Sequence, residues 1–326
     1  GAARAAAAAG LEAIATLDMG GTSTDVAFHS PGAELSGLAE EVRVAGHSIA
    51  VPTLDMHTVG CGGGSIARVD AGGVLRVGPE SAGSEPGPAC YGRGGARPAV
   101  TDADLVLGKL DGDNFAGGTI QLHEDASKTA LSAQIGDTLD MDAREAAYGV
   151  AEVVDENMAN AARVHAVENG EDLSEYTMIA FGGAAPLHAG RLCEKLGIDR
   201  CLVPPGAGVG SAIGFLRAPF SFEANRSVYL RLSDFDPDMI RELLSELQNE
   251  ATGFVRTCDA TSEILPEFKV YMRYSGQGWE IPITLTQEQA MNPDATTFEA
   301  RFIEDYTKLF GRPVEGMDIE ITVWSV

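Results

Sequence analysis

The sequence predicts an α/β lobe over residues 1–219 followed by a smaller α+β domain over residues 220–326. Three observations carry this: an apolar hairpin near the start, alternating strand and helix patterns between 142 and 216, and a change of composition near Pro219. At 326 residues the chain is long enough for two cores.

Residues 1–10 read as part of a small-residue helix, without the apolar core of a secretory signal. Ile14 to Leu17 reads as a buried strand and Val26-Ala27-Phe28 as its return partner. Short β-type runs follow at 51–54, 65–69 and 74–77, suggesting a strand meander. Gly78 to Pro98 is a Gly, Pro and Ser loop of the length that is commonly functional. Thr101-Asp102 then caps a short helix over 104–110. Apolar residues at helical spacing from Asp142 to Asn169 mark a long helix, ended by Gly170. A strand at Thr177–Phe181, a Gly182-Gly183 turn, a helix at Leu187–Leu196, a strand at Arg200–Val203 and a Gly/Ala run from Gly206 to Leu216 complete the first domain. The second has helices at 237–254 and 297–310, with strands at 268–274, 279–285 and 318–324.

The turn between the first two strands carries the chemistry. In Asp18-Met19-Gly20-Gly21-Thr22-Ser23-Thr24-Asp25, two glycines let backbone N–H groups approach an anion, and the three hydroxyls add donors. Carboxylates beside a phosphate make sense when Mg²⁺ lies between them. The alternative is a tight hairpin whose Thr and Ser satisfy local backbone groups. Further glycine clusters occur at Gly60 to Gly64, with Ser65, and at Gly182-Gly183. None has the spacing of a Walker A or dinucleotide fingerprint.

Lys and Arg number 23 against 48 Asp and Glu, a formal charge of −25. Such a surface repels phosphate backbones and anionic lipid, which argues against nucleic acid and membrane as partners. A bound nucleotide would then be held by backbone donors and metal. Apolar stretches are interrupted well before the length of a membrane span. The five cysteines form no CxxC pair, and a cytoplasmic location is the simplest expectation.

A hairpin phosphate loop followed about 160 residues later by a strand, Gly-Gly turn and helix matches the sugar-kinase, chaperone and actin superfamily. Six ordered motifs are more specific: Leu17–Val26; Asp55-Met56-His57 through Ala67; Val77–Gly83 with Pro86–Gly92; Thr101–Gly108; Phe181–Ala189; and Met272–Gly278. Together they resemble the hydantoinase A and 5-oxoprolinase family across almost the whole chain.

The resemblance implies an actin-like (ribonuclease H-like) ATPase lobe using ATP and Mg²⁺ to open cyclic amides of the hydantoin or 5-oxoproline type by carbonyl phosphorylation. A ketone carboxylase subunit is the alternative enzyme, and a nucleotide-binding assembly subunit the non-catalytic one. A sugar or acid kinase would instead yield a stable phosphorylated product. The resemblance also implies a small-molecule substrate, a hydantoinase B-type partner subunit and an oligomer. Family chains begin with another lobe bearing its own Asp-x-Gly-Gly-Thr loop, and this sequence is expected to correspond to the second lobe and C-terminal region. Cys61 and Ala185 depart from the family's small residues without enlarging the loops.

Asp18, Asp25 and His57 are the catalytic candidates, the two aspartates as organisers of Mg²⁺. Gly20, Gly21, Thr22, Ser23 and Thr24 would hold phosphates; Gly182, Gly183 and Ala184 would back the adenosine. Gly62, Gly63, Gly64 and Ser65 would face the substrate. Asp55, His57, Asp102 and His188 form a candidate Zn²⁺ or Mn²⁺ set, with loop hydrogen bonding or substrate contact as the alternative for the histidines. His29, His47, His123 and His165 read as surface or packing residues. Cys90 is either a nucleophile or a small loop filler. Asn157 and Arg163 either face the cleft or are structural.

Overall fold

A computed structural model of the chain describes residues 1–29, 38–39, 42–44, 47–49 and 53–326. The chain forms two compact units, Gly1–Ala218 and Pro219–Val326. Among the described residues no helix is long and apolar enough to cross a membrane.

The first unit is built on a five-stranded sheet. The hairpin of β1 (Ile14–Met19) and β2 (Thr24–His29) is antiparallel, with Asp18 opposite Asp25 and Met19 opposite Thr24. Two short pairs follow, β3 (Leu38–Ala39) with β6 (Thr53–Leu54) and β4 (Val42–Val44) with β5 (His47–Ile49). Val51 and Pro52 of the expected strand lie outside the described residues. The strand β7 (His57–Val59) continues the sheet antiparallel to β2, placing Asp25 opposite Thr58 and Val26 opposite His57. A separate ribbon pairs β8 (Ser65–Val69) with β9 (Leu75–Ser81). On the other side of β1 lie β10 (Thr177–Phe181) and β11 (Cys201–Leu202), both parallel to it, giving the order β11-β10-β1-β2-β7.

Seven helices are described in this unit: α1 (Ala2–Ala8), α2 (Val100–Val106), α3 (Glu124–Leu131), α4 (Asp137–Leu139), α5 (Ala143–Asn169), α6 (Ala185–Leu196) and α7 (Gly210–Leu216). Helix α5 starts where its caps dictate. Asp142 accepts from the Arg144 and Glu145 N–H groups, Glu145 reaches back to Asp142 N, and Gly170 closes the helix at φ 71°. Its Ala146, Ala147, Val150, Val154 and Met158 pack with Leu17 and Met19 of β1 and Val26 of β2 into the main core. Small side chains dominate that helix face and bury apolar area without overfilling the space beside the sheet.

Helix α2 begins four residues before the expected Asp104. Asp102 lies inside the first turn and accepts from Ala99 N at 2.8 Å, so the capping carboxylate acts from within the helix. Helix α6 starts at Ala185 rather than Leu187, because Pro186 in the first turn needs no N–H acceptor.

The second unit holds a sheet in the order β12 (Asn225–Arg226), β16 (Ile319–Ser325), β14 (Phe268–Tyr274) and β15 (Ile281–Leu285), with β13 (Leu230–Arg231) also on β16. Strand β14 turns Phe268, Val270, Met272 and Tyr274 inward at period two. They pack with residues of α8 (Pro237–Cys258), α9 (Gln287–Met291) and α10 (Ala295–Phe310) around the fully buried Trp324. The expected strand at 279–285 shortens to Ile281–Leu285 and leaves Trp279 exposed. It is an edge strand, so Pro282 costs no ladder bond.

Candidate functional site

Parallel strands bring their carboxyl ends together, and open α/β sheets bind ligands beyond those ends. Here Met19 ends β1 and Phe181 ends β10. The two turns that follow, 20–23 and 182–184, are side by side: Ala184 N donates to Met19 O at 3.0 Å. Gly182 has φ 95°, and a Cβ there would come within 2.5 Å of both Asp18 Oδ1 and Met19 O. Glycine is therefore required twice over, by backbone conformation and by contact with the aspartate. Gly182 N donates to Ala207 O at 2.8 Å, and Ser211 of α7 hydrogen-bonds Asp18 Oδ2.

The hairpin turn is backed by the second glycine cluster. Gly63 N donates to Gly20 O at 3.0 Å and Gly64 N to Gly21 O at 2.6 Å. A Cβ on Gly62 would meet Thr22 N at 2.5 Å, so this face tolerates backbone only. With the turn's carbonyls occupied from behind, its exposed edge presents donors. Gly21 and Thr22 are exposed, and the N–H groups of Gly21, Thr22 and Ser23 have no acceptor among the described residues. Thr22 Oγ1 lies 3.2 Å from Ser81 Oγ.

Two expected assignments change here. Thr24 is fully buried and donates to Cys61 O at 2.5 Å, so its hydroxyl does not face a phosphate. Gly62, Gly63 and Gly64 support the turn, and buried Ser65 accepts from Gly62 N at 2.8 Å through Oγ, so none of the four is placed as a substrate contact.

Asp18 and Asp25 face each other across the hairpin. Like charges directly opposite in an antiparallel pair are destabilising. Each carboxylate is partly relieved by a hydroxyl: Ser211 for Asp18, and Thr58 Oγ1, 2.5 Å from Oδ1, for Asp25. Two carboxylates beside the turn are an all-oxygen donor set of the kind Mg²⁺ takes.

The set Asp55, His57, Asp102 and His188 is not assembled. Asp102 is fully buried and accepts from Ala89 N, Cys90 N, Ala99 N and Ser127 Oγ at 2.7–3.1 Å, which fills its lone pairs and anchors the 82–99 loop. His188 is clamped between Asp155 Oδ1 at 2.7 Å and Asp104 Oδ2 at 3.1 Å. Burial disfavours its charged ring, yet the hydrogen bonds and charges of the two carboxylates prevail and raise its pKa to about 9. His188 is thus a buried cation joining α2, α5 and α6, with Lys109 Nζ 3.1 Å from Asp104 Oδ1. Asp55 lies between β6 and β7 and His57 on β7.

The nucleophile option for Cys90 also falls. Burial, and then the neighbouring Asp102 charge, push its thiol well above the ordinary range. Asn157 Nδ2 donates to Val77 O at 3.4 Å, while Arg163 bonds Glu156 and Lys195 O. Sequence reasoning missed Thr58 as the partner of Asp25. The register of β7 against β2 is the signal that finds it.

A sequence model of the family Hydantoinase/oxoprolinase matches residues 1–224, and the chain belongs to that family. It is 33% identical over 318 residues to 5-oxoprolinase of Saccharomyces cerevisiae, covering 90% of this chain and 23% of that protein. The structure is similar to nucleotide-free acetone carboxylase, solved in work on the mechanism of ATP-dependent acetone carboxylation. The TM-score is 0.87 at 26% identity, over 99% of this chain and 47% of that one. For the ATP-dependent caprolactamase from Pseudomonas jessenii the TM-score is 0.70 at 30% identity, over 98% and 47%. The chain spans less than half the length of these relatives.

Proposed function

We propose that the first unit is an actin-like lobe supplying one jaw of an ATP site in an ATP-dependent hydrolase of cyclic amides. The observation that carries the reading is the turn at Gly20–Ser23, whose Gly21, Thr22 and Ser23 N–H groups have no acceptor among the described residues, with Asp18 and Asp25 beside it. In this reading Gly21, Thr22 and Ser23 hold phosphate oxygens, and the start of α6 after Gly182-Gly183 adds a favourable dipole. Asp18 and Asp25 would hold Mg²⁺, which neutralises phosphate charge when bound. Ser211 and Thr58 orient the two carboxylates.

Phosphoryl transfer to an amide carbonyl oxygen forms a P–O bond there and releases ADP. The amide carbon becomes a better electrophile; water adds to it, inorganic phosphate leaves, and the C–N bond opens as the nitrogen takes up a proton from that water. The enzyme's share is mostly positioning and charge stabilisation. The relatives named for caprolactam and 5-oxoproline support the cyclic-amide class. A ketone carboxylase role is the second reading, favoured by the higher TM-score to acetone carboxylase. A hydantoinase B-type partner would complete either enzyme, in an oligomer.

The test follows phosphate release with the partner subunit present, using 5-oxoproline, a hydantoin and caprolactam, or acetone with bicarbonate. The reading expects free phosphate coupled to ring opening. Stable phosphorylated product would indicate a kinase, and phosphate coupled only to ketone and bicarbonate would select the carboxylase. No nucleotide turnover with any substrate would leave the assembly-subunit role.

A further inference from the structure

Helix α5 presents His165 and Glu168 three residues apart, and such residues lie on one helix face. Across from them stands His57 on β7. One ligating atom from each of the three lies within 4.8 Å of the others. His165 is 4% exposed and stacked on Phe28 at 5.1 Å between ring centroids, so its position is fixed by packing. The His57 ring lies 6.0 Å away, tilted against it, and Glu168 is exposed.

We propose that His57, His165 and Glu168 form a Zn²⁺ site that clamps the edge strand β7 to α5. Two imidazoles and a carboxylate with a position left for water are a donor set suited to Zn²⁺. Ligands of a tetrahedral Zn²⁺ at ordinary bond lengths stand about 3.3 Å apart. The three ligating atoms already lie within 4.8 Å of one another, so reaching ligand spacing draws them together by at most about 1.5 Å. Asn169 Nδ2 donates to His165 O at 3.0 Å and lies 3.3 Å from His165 Nδ1, so the side chain that flanks the ring is itself held by the helix backbone. Thr58, the next residue after His57, holds Asp25. The clamp therefore fixes the strand that orients one carboxylate of the hairpin site, while the Zn²⁺ site itself stands independently of the ATP reading.

The experiment titrates Zn²⁺ alone into the chain by calorimetry and follows Co²⁺ in its place by visible absorption. One Zn²⁺ per chain is expected at this site, with affinity at least about tenfold weaker in both Glu168→Gln and His57→Ala. A four-coordinate Co²⁺ spectrum should be present in the wild type and lost in His57→Ala. Far-UV circular dichroism without metal establishes that each variant folds. Exposed Glu168 makes Glu168→Gln the deciding variant if His57→Ala does not fold. Unchanged affinity in a folded variant of either kind would overturn the site and leave exposed Cys201 or Cys258 as the ligand.

Discussion

At the residue scale the hairpin site rests on two conflicts resolved by neighbours. Gly182 sits where a methyl would strike Asp18 and the Met19 carbonyl. Gly182→Ala should destabilise the fold by about 1–3 kcal/mol, measured by urea unfolding, and weaken Mg·ATP binding by displacing Asp18. Asp25 opposite Asp18 is the second conflict. Asp25→Asn removes the repulsion, so without ligand the variant should be as stable as wild type or more so by about 0.2–1 kcal/mol. Its Mg²⁺-dependent nucleotide affinity should fall at least about tenfold. A stability loss, with affinity intact, would mean that Asp25 serves the hairpin alone.

At the element scale the His188 clamp joins three helices. In the unfolded chain an imidazole titrates near 6.5, and in the fold His188 titrates at about 9. The stabilisation is complete below the unfolded pKa and is lost as pH rises through about 9. His188→Gln leaves two buried carboxylates facing each other and should cost about 3–5 kcal/mol near neutrality. Between pH 6 and pH 10 wild type should lose stability more steeply than the variant. A constant gap across that range would contradict a charged ring.

Elements were legible where local chemistry sets them. Asp142, Glu145 and Gly170 bound α5 by short-range capping, and the alternation of β14 shows its buried face directly. The start of α2 was not legible, since Asp102 caps from inside the helix and serves a loop up to 13 residues earlier. His188 and Asp102 carry the residue types of a metal site, but their partners are distant in sequence: Asp104 and Asp155 are 84 and 33 residues from His188. Only the fold decides that those groups are already satisfied. Thr24 failed for a simpler reason. It is the first residue of β2, and the pleat turns it inward.

At the scale of the whole molecule, a formal charge of −25 opposes the approach of any phosphate ligand. Added salt screens that repulsion. The association rate of a fluorescent Mg·ATP analogue, measured by stopped flow, should therefore rise between about 10 mM and 150 mM salt. A falling rate would indicate a local basic entrance stronger than the net charge. The backbone-donor turn and paired carboxylates are the means by which an acidic protein can hold such a ligand.

The central claim is that Asp18, Asp25 and the Gly20–Ser23 turn bind nucleotide phosphates through Mg²⁺. Calorimetric titration of ATP into the chain joined to the lobe that supplies the opposing jaw, with Mg²⁺ and with EDTA, in wild type and in the Asp18→Asn/Asp25→Asn double variant, tests it most directly. Saturable binding that requires both Mg²⁺ and the two aspartates is the predicted result. Absence of binding, or binding equally tight in EDTA or in the folded double variant, would contradict it.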